Sequence, residues 1–382
     1  MSDIATSLVE LIETVSAKRI LGTPTPEDRG LAEPLPMPFL ALVGQTPMKI
    51  ALLLALINPA INGVLLIGPR GTGKTSAVRG LLGLLPMVER SSCAYGCLPE
   101  DIEVDGIDAV CPDCAKKYGE GQPLTHPSPV QLVELPLNSR IEDVVGGLDE
   151  RAAPATRMMI HRGILSRADR NLLYIDEVNL LTNDIVDAIL DAAAQGLYTV
   201  RRGPVAATYR ARFALIGSMN PEEGRLRPQI MDRFGLRLMV HGLTDPADRL
   251  EAYHRAHAYI NSPRTTVSTY AEETALARAD VQTARQLLSR VELSHEAEAT
   301  GLQLVRRMQI DSLRAEITMF EAARAYAAAD SRLEVTPADV RAVAPLALRL
   351  RRSSFMVDFF KAQQAEEKEI NSLLDELIPF AG

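Results

Sequence analysis

Tryptophan is absent from this 382-residue chain, and aromatic residues make up only 4% of it. That scarcity removes the stacking platforms on which proteins hold single-stranded nucleic acid. Positive charge is also in deficit: 41 Lys and Arg against 49 Asp and Glu leave a net charge of −8, which argues against bulk attraction to a polyphosphate backbone. No uninterrupted apolar run reaches the length of a membrane span. An acid at Asp3 stands where a secretory leader would carry basic residues, so a cytoplasmic location is expected. Cysteine is limited to four residues, spaced Cys93-x3-Cys97-x13-Cys111-x2-Cys114. In a cytosolic chain this pattern points to metal or redox chemistry rather than structural disulfides. It is within reach of a four-thiolate zinc site, and reduced thiols in an insertion are the alternative.

What is present is organised around Gly68-Pro69-Arg70-Gly71-Thr72-Gly73-Lys74-Thr75. This string fits the phosphate-binding loop of nucleoside triphosphatases. Before it, Val64-Leu65-Leu66-Ile67 reads as a buried parallel strand; after it, residues 76–82 read as a helix. A glycine turn between strand and helix lets several N–H groups face one anion, and the helix start adds partial positive charge. Gly68, Gly71, Thr72 and Gly73 then form the cradle, Lys74 reaches the β- and γ-phosphates, and Thr75 holds Mg²⁺.

A second strand, Asn171-Leu172-Leu173-Tyr174-Ile175, delivers Asp176 and Glu177 to the sheet's C-terminal edge, where ligands bind in open α/β sheets. Asp176 is expected in the Mg²⁺ shell and Glu177 as general base for the attacking water. A third strand over 212–219 ends at Asn220, suited to the γ-phosphate or the water, or simply to capping the turn before Pro221. Arg233 lies between a short helix and an apolar strand, a position from which an arginine can reach a neighbour's nucleotide.

The rest of the chain divides around this core. Residues 1–38 are expected to form an N-terminal helix, over 3–20, and a proline-rich linker. Residues 39–245 form the α/β nucleotide-binding core, with a cysteine-containing insertion at about 90–130 and a hairpin around Gly203-Pro204, at about 197–212. Residues 246–382 read as all-helical, with one helix over 271–293, a long amphipathic pattern over 302–329, and a docking helix over 362–378. Thr46 is expected to cap a buried helix with Pro47 in its first turn, and Thr336-Pro337-Ala338-Asp339 to start another. Residues 138–150 read as a strand end or glycine turn.

The order of these parts resembles the AAA+ ATPases and, within them, the ATPase subunit I of magnesium chelatase. The resemblance runs from about Pro38 to Phe355. It is carried by Val43-Gly44-Gln45, the phosphate loop, Glu134-Leu135-Pro136-Leu137, Glu142-Asp143-Val144-Val145-Gly146-Gly147-Leu148-Asp149, Gly163-Ile164-Leu165, the run from Tyr174 to Leu181, Asn220-Pro221-Glu222-Glu223-Gly224 and the segment from Leu226 to Leu236. It implies an α/β AAA+ core followed by an all-α lid, with ATP and Mg²⁺ as ligands. Lys74 and Thr75 match Walker A, Asp176 and Glu177 Walker B, Asn220 sensor 1, Arg233 the arginine finger and Arg314 the sensor 2 arginine. It further implies a homo-oligomeric, hexameric ring, an AAA+ partner subunit with an integrin-like domain, and a large porphyrin-binding subunit, acting together to insert metal into a tetrapyrrole. The long 20–38 linker, Arg151-Ala152-Ala153-Pro154 in place of a helical run, and the 356–382 extension depart from the family pattern. Rival readings are a chaperone-like AAA+ ATPase acting on an integrin-type partner outside pigment synthesis, a nucleic-acid motor like the minichromosome maintenance helicases, and a ring that binds nucleotide only as a scaffold. Intact Lys74, Asp176, Glu177 and Arg233 argue against the last.

Overall fold

The computed structural model describes residues 35–93, 96–148, 160–202 and 205–352. The expected helices over 3–20 and 362–378, most of the linker and residues 150–159 lie outside them.

Five parallel strands form the central sheet: β1 (Val64–Ile67), β2 (Leu132–Glu134), β3 (Leu172–Ile175), β4 (Ala214–Met219) and β5 (Leu236–Met239), in the order β5-β1-β4-β3-β2. Their run-on apolar composition follows from burial on both faces. Along β1, Val64 and Leu66 enter one core while Leu65 and Ile67 enter the other; along β3, Leu172 and Tyr174 alternate with Leu173 and Ile175 in the same way. Helix Asn183–Gln195 covers one face through Ile185, Val186 and Ile189. The almost wholly apolar helix Thr46–Ile57 covers the other, beneath helix Leu313–Ala329. Each large side chain so buried contributes about 1.5–3 kcal/mol, and the continuous core joins the lid helices to the sheet.

The register brings the functional strand ends together. Ile67 lies opposite Met219, and Gly217 opposite Ile175, so β1, β4 and β3 end at one edge. A hydrogen bond of 3.0 Å from the Gly68 amide to the Met219 carbonyl places Asn220 beside the first residue of the phosphate loop.

Several local expectations are corrected. Thr46 is the first residue of its helix, not its cap; Gln45 precedes it in the left-handed region at φ 55°. Residues 138–150 include a short helix, Ile141–Val145, before Gly146–Leu148 pairs antiparallel with Ile160–Arg162. The helix expected over 271–293 ends at Leu287; a 3-10 turn follows, and Glu292–Leu293 pairs with Glu334–Val335, so the lid is not purely helical. The pattern over 302–329 is two helices, His295–Met308 and Leu313–Ala329, broken where Gln309 turns left-handed at φ 54°. The insertion is more ordered than its irregular sequence suggests. Strand Met87–Ser91 pairs antiparallel with Thr125–Pro129, enclosing helices Pro99–Asp105 and Pro112–Gly119. The hairpin is as expected, Leu197–Arg202 against Val205–Arg210, and Thr336 and Asp339 form a capping box.

Candidate active site

Backbone conformation builds the phosphate loop. Gly71 and Gly73 sit at φ 77° and 85°, where a side chain would be strained. Gly68 is required for space instead: a Cβ there would lie 2.1 Å from the Val240 carbonyl. Lys74 opens helix Lys74–Gly80 and is only 8% exposed. Its ammonium donates to the carbonyls of Gly68 at 2.8 Å and Pro69 at 2.7 Å. Burial lowers its pKa, opposed by Asp176, Glu177 and Glu223. The cation is thus folded back on its own loop, where phosphate oxygens could replace the two carbonyls.

Three neighbouring elements surround the Asp176 carboxylate. Asp176 Oδ1 accepts from the Tyr174 hydroxyl at 2.9 Å and from the Ser218 hydroxyl of β4. Thr75 Oγ1 lies 3.5 Å from Asp176 Oδ2 and 3.1 Å from the Tyr174 hydroxyl. Burial pushes the Tyr174 phenol well above its usual range, so it stays a neutral donor. The set is all oxygen, a hydroxyl and a carboxylate converging beside the phosphate loop, and this fits a hard cation such as Mg²⁺.

Glu177 adopts the left-handed region at φ 55°, a conformation that costs a residue of its size about 1–3 kcal/mol and persists only where its surroundings enforce it. Its amide donates to Ser218 Oγ at 3.2 Å, and its carboxylate pairs with Arg70 at 2.9 Å. Arg70 also holds Glu223 at 2.7 Å. Asn220 is 5% exposed, and its Oδ1 accepts from the Glu222 amide at 3.2 Å. The turn-capping role therefore occupies the carbonyl oxygen, which leaves a sensing role to the amide N–H groups.

Arg233 and Arg314 belong to a different surface. Arg233 ends helix Pro228–Arg233 and pairs with Asp191 at 2.7 Å and Asp187 at 3.6 Å. Arg314 lies 3.4 Å from Asp232. Both arginines line one cavity of about 260 Å³ with Asn62, Leu190 and Thr318. A separate cavity of about 380 Å³ adjoins Gly71–Gly73 and is walled by Leu42, Gln45, Leu243 and Arg249; it offers an apolar slot beside the phosphate loop that no sequence motif announced. Asp232 was likewise missed, yet it receives Arg237 at 3.2 Å and Arg351 at 2.7 Å, both buried. Burial and the neighbouring Arg351 bring the Arg237 pKa down to about 10.

Cys93, Cys97, Cys111 and Cys114 meet in the insertion, with all four sulfurs within 4.8 Å of one another.

A parallel sheet carrying phosphate loop, Walker B pair and buried asparagine on one edge, with a mainly helical lid packed behind it, defines an AAA+ P-loop ATPase. Its relatives are similar along most of their length: the magnesium-chelatase subunit ChlI homolog of Methanocaldococcus jannaschii is 39% identical over 343 residues, 89% of this chain and 91% of that protein. The magnesium-chelatase 38 kDa subunit of Acidiphilium rubrum is 41% identical over 316 residues, 82% and 90% respectively. The chain belongs to the magnesium-chelatase subunit I family. Family descriptions match in two parts, an MCM P-loop domain over residues 147–242 and an AAA lid domain over 298–376. A solved protein of Cytophaga hutchinsonii, 18% identical, shares the fold with a TM-score of 0.52 over 81% of this chain and 83% of its own. Among the described residues no helix is long and apolar enough to cross a membrane.

Proposed function

We propose that this chain is the ATP-hydrolysing ring subunit of a magnesium-chelatase-type complex, converting ATP and water to ADP and phosphate. The observation that carries the reading is the meeting of Lys74, Thr75, Asp176 and Glu177 at one sheet edge, with Arg233 and Arg314 gathered on another surface. Lys74 leaves its loop carbonyls for the β- and γ-phosphate oxygens. Thr75 and Asp176 would hold Mg²⁺, which would neutralise charge on the phosphates. Glu177, released from Arg70, accepts the proton of the attacking water, and Asn220 orients that water or the γ-phosphate through its amide. Arg233 and Arg314 serve the nucleotide of the adjoining protomer, which makes hydrolysis a property of a ring, hexameric in this reading.

The work of the ring is to remodel its partners: an AAA+ subunit bearing an integrin-like domain and a large porphyrin-binding subunit. In that setting Mg²⁺ is also cargo, inserted into a tetrapyrrole of the protoporphyrin IX type. The test is affinity capture from the native cell with Glu177→Gln protein loaded with ATP. Recovery of a porphyrin-binding subunit is expected. An integrin-type partner recovered without any porphyrin-binding subunit would contradict the pigment role and assign the motor to a chaperone-like task.

A further inference from the structure

We propose that Cys93, Cys97, Cys111 and Cys114 form a closed structural Zn²⁺ site, and that the metal stiffens the insertion so that it braces the root of the hairpin and of β3. This goes beyond the ATPase reading and does not depend on it.

The geometry is that of a site rather than of scattered thiols. Four thiolates bonded to zinc at about 2.3 Å stand about 3.8 Å apart in a tetrahedron, and the four sulfurs here all lie within 4.8 Å of each other. Cys111 precedes helix Pro112–Gly119 and Cys114 lies in its first turn, so one helix start presents two ligands. Cys93 and Cys97 come from the chain that leaves strand Met87–Ser91. Backbone amides already point at sulfur: Cys97 N–H donates to Cys93 Sγ at 3.4 Å and Cys111 N–H to Cys97 Sγ at 3.3 Å, while the Ser91 hydroxyl donates to Cys93 Sγ at 3.5 Å. Such donors stabilise metal-bound thiolate and orient it. Two disulfides would need only two pairwise approaches; convergence of all four is what a single tetrahedral ion requires.

Among the described residues, the insertion's own apolar core is small. Its core consists of Cys97, Val110, Cys114 and Leu124, with Cys93, Ile102, Cys111 and Ala115 packed against it. Half of those residues are the cysteines themselves. So small an apolar cluster cannot offset the entropy of ordering the surrounding chain, whereas a closed zinc site contributes folding free energy directly.

Helix Pro99–Asp105 lies between the second and third cysteines and carries two carboxylates onto the core. Glu100 accepts from Arg170 at 2.8 Å, and Asp101 pairs with Arg210 at the end of the hairpin. From the paired strand, Arg90 donates to Asn171 Oδ1 at 2.9 Å, directly ahead of β3. The metal therefore fixes the placement of groups that hold the hairpin and the strand ending in Asp176.

The experiment uses the full chain purified without chelator. Plasma mass spectrometry should find about one zinc per chain, released when an organomercurial titrates the thiols, and Co²⁺ in its place should show thiolate-to-metal charge-transfer absorption. Hydrogen exchange, followed by mass spectrometry, should quicken in Leu197–Arg202 and Val205–Arg210 once zinc is removed, while β1 stays protected. Because a cysteine variant could fail to fold, the second arm is Glu100→Gln/Asp101→Asn, which should keep its zinc and lose hairpin protection. Protein free of zinc, iron in its place, or disulfides in the native chain would overturn the site. Hairpin exchange indifferent to zinc removal, or unchanged in the double variant, would overturn the bracing.

Discussion

The phosphate-loop edge and the arginine surface handle charge in opposite ways. At the edge, Asp176 is met by hydroxyls, and Glu177 is held by Arg70, whose side chain is 71% exposed. Lys74 spends its hydrogen bonds on backbone carbonyls. Lys74 and Asp176 there meet neutral groups, positions at which phosphate oxygens and a hard cation would supply the opposite charge. On the arginine surface the cations have carboxylate partners in the same chain, some of them shared: Arg233 with Asp187 and Asp191, Arg227 with Asp187 at 3.2 Å, and Arg314 with Asp232, which also takes Arg237 and Arg351. At the edge the cation and the Asp176 carboxylate are held by neutral groups; on the arginine surface carboxylates of the same chain orient the cations. A guanidinium supplied in trans gains from being held in place, because little ordering is left for the moment of reaction.

The sharpest way to break the comparison is Arg233→Ala. If the arginine surface acts on a neighbour, ATP binding should be nearly unchanged while hydrolysis falls by ~10³–10⁵, the effect of a trans-acting arginine on charge developing at the γ-phosphoryl oxygens. Glu177→Gln should come next, retaining ATP but hydrolysing it ~10²–10⁴ more slowly, as expected for loss of a general base. Single-turnover rates with bound nucleotide measured separately would distinguish both from Lys74→Ala, which should lose productive binding itself. Asp232→Ala should act on stability, in addition to any loss of hydrolysis from freeing Arg314. It strands Arg237 and Arg351 without their shared carboxylate; because Asp232 is 29% exposed, the low end of the range for a broken buried pair applies, about 3 kcal/mol, read as a lower midpoint in denaturant. The smallest effect belongs to Arg70→Ala. Its ion pair with Glu177 is exposed and contributes little, so basal hydrolysis should change only a few-fold.

The two regions also differ in how far they could be read from sequence. The phosphate loop and the Asp176-Glu177 pair are contiguous strings whose flanking apolar runs announce their strands, and the β1 and β3 registers against β4 bring the ends of those strands to one edge. Tyr174 and Ser218 were passed over as strand residues, because their hydroxyls reach Asp176 only once β3 and β4 pair. Asp232 was passed over for the same reason: its arginine partners at 237, 314 and 351 meet it only through the lid's packing. Periodicity misjudged the lid where a single residue decides the outcome. Gln309 in the left-handed region breaks what reads as one amphipathic helix, and the strand pair at Glu292–Leu293 forms with a partner some forty residues on. The insertion reads as irregular because its strand pair, Met87–Ser91 with Thr125–Pro129, joins segments far apart in the chain and its two helices carry no apolar repeat.

The central claim is that one catalytic site is assembled from two protomers, and mixing two inactive subunits tests it most directly. Arg233→Ala keeps its own Lys74, Asp176 and Glu177; Glu177→Gln keeps its arginine surface. Where the second sits against the first, a complete site is rebuilt. The account predicts that the mixture regains part of the lost ATPase activity, with a rise that depends on protein concentration because the subunits must associate. A mixture that forms rings and stays inactive, or Arg233→Ala hydrolysing alone at the wild-type rate, would contradict it.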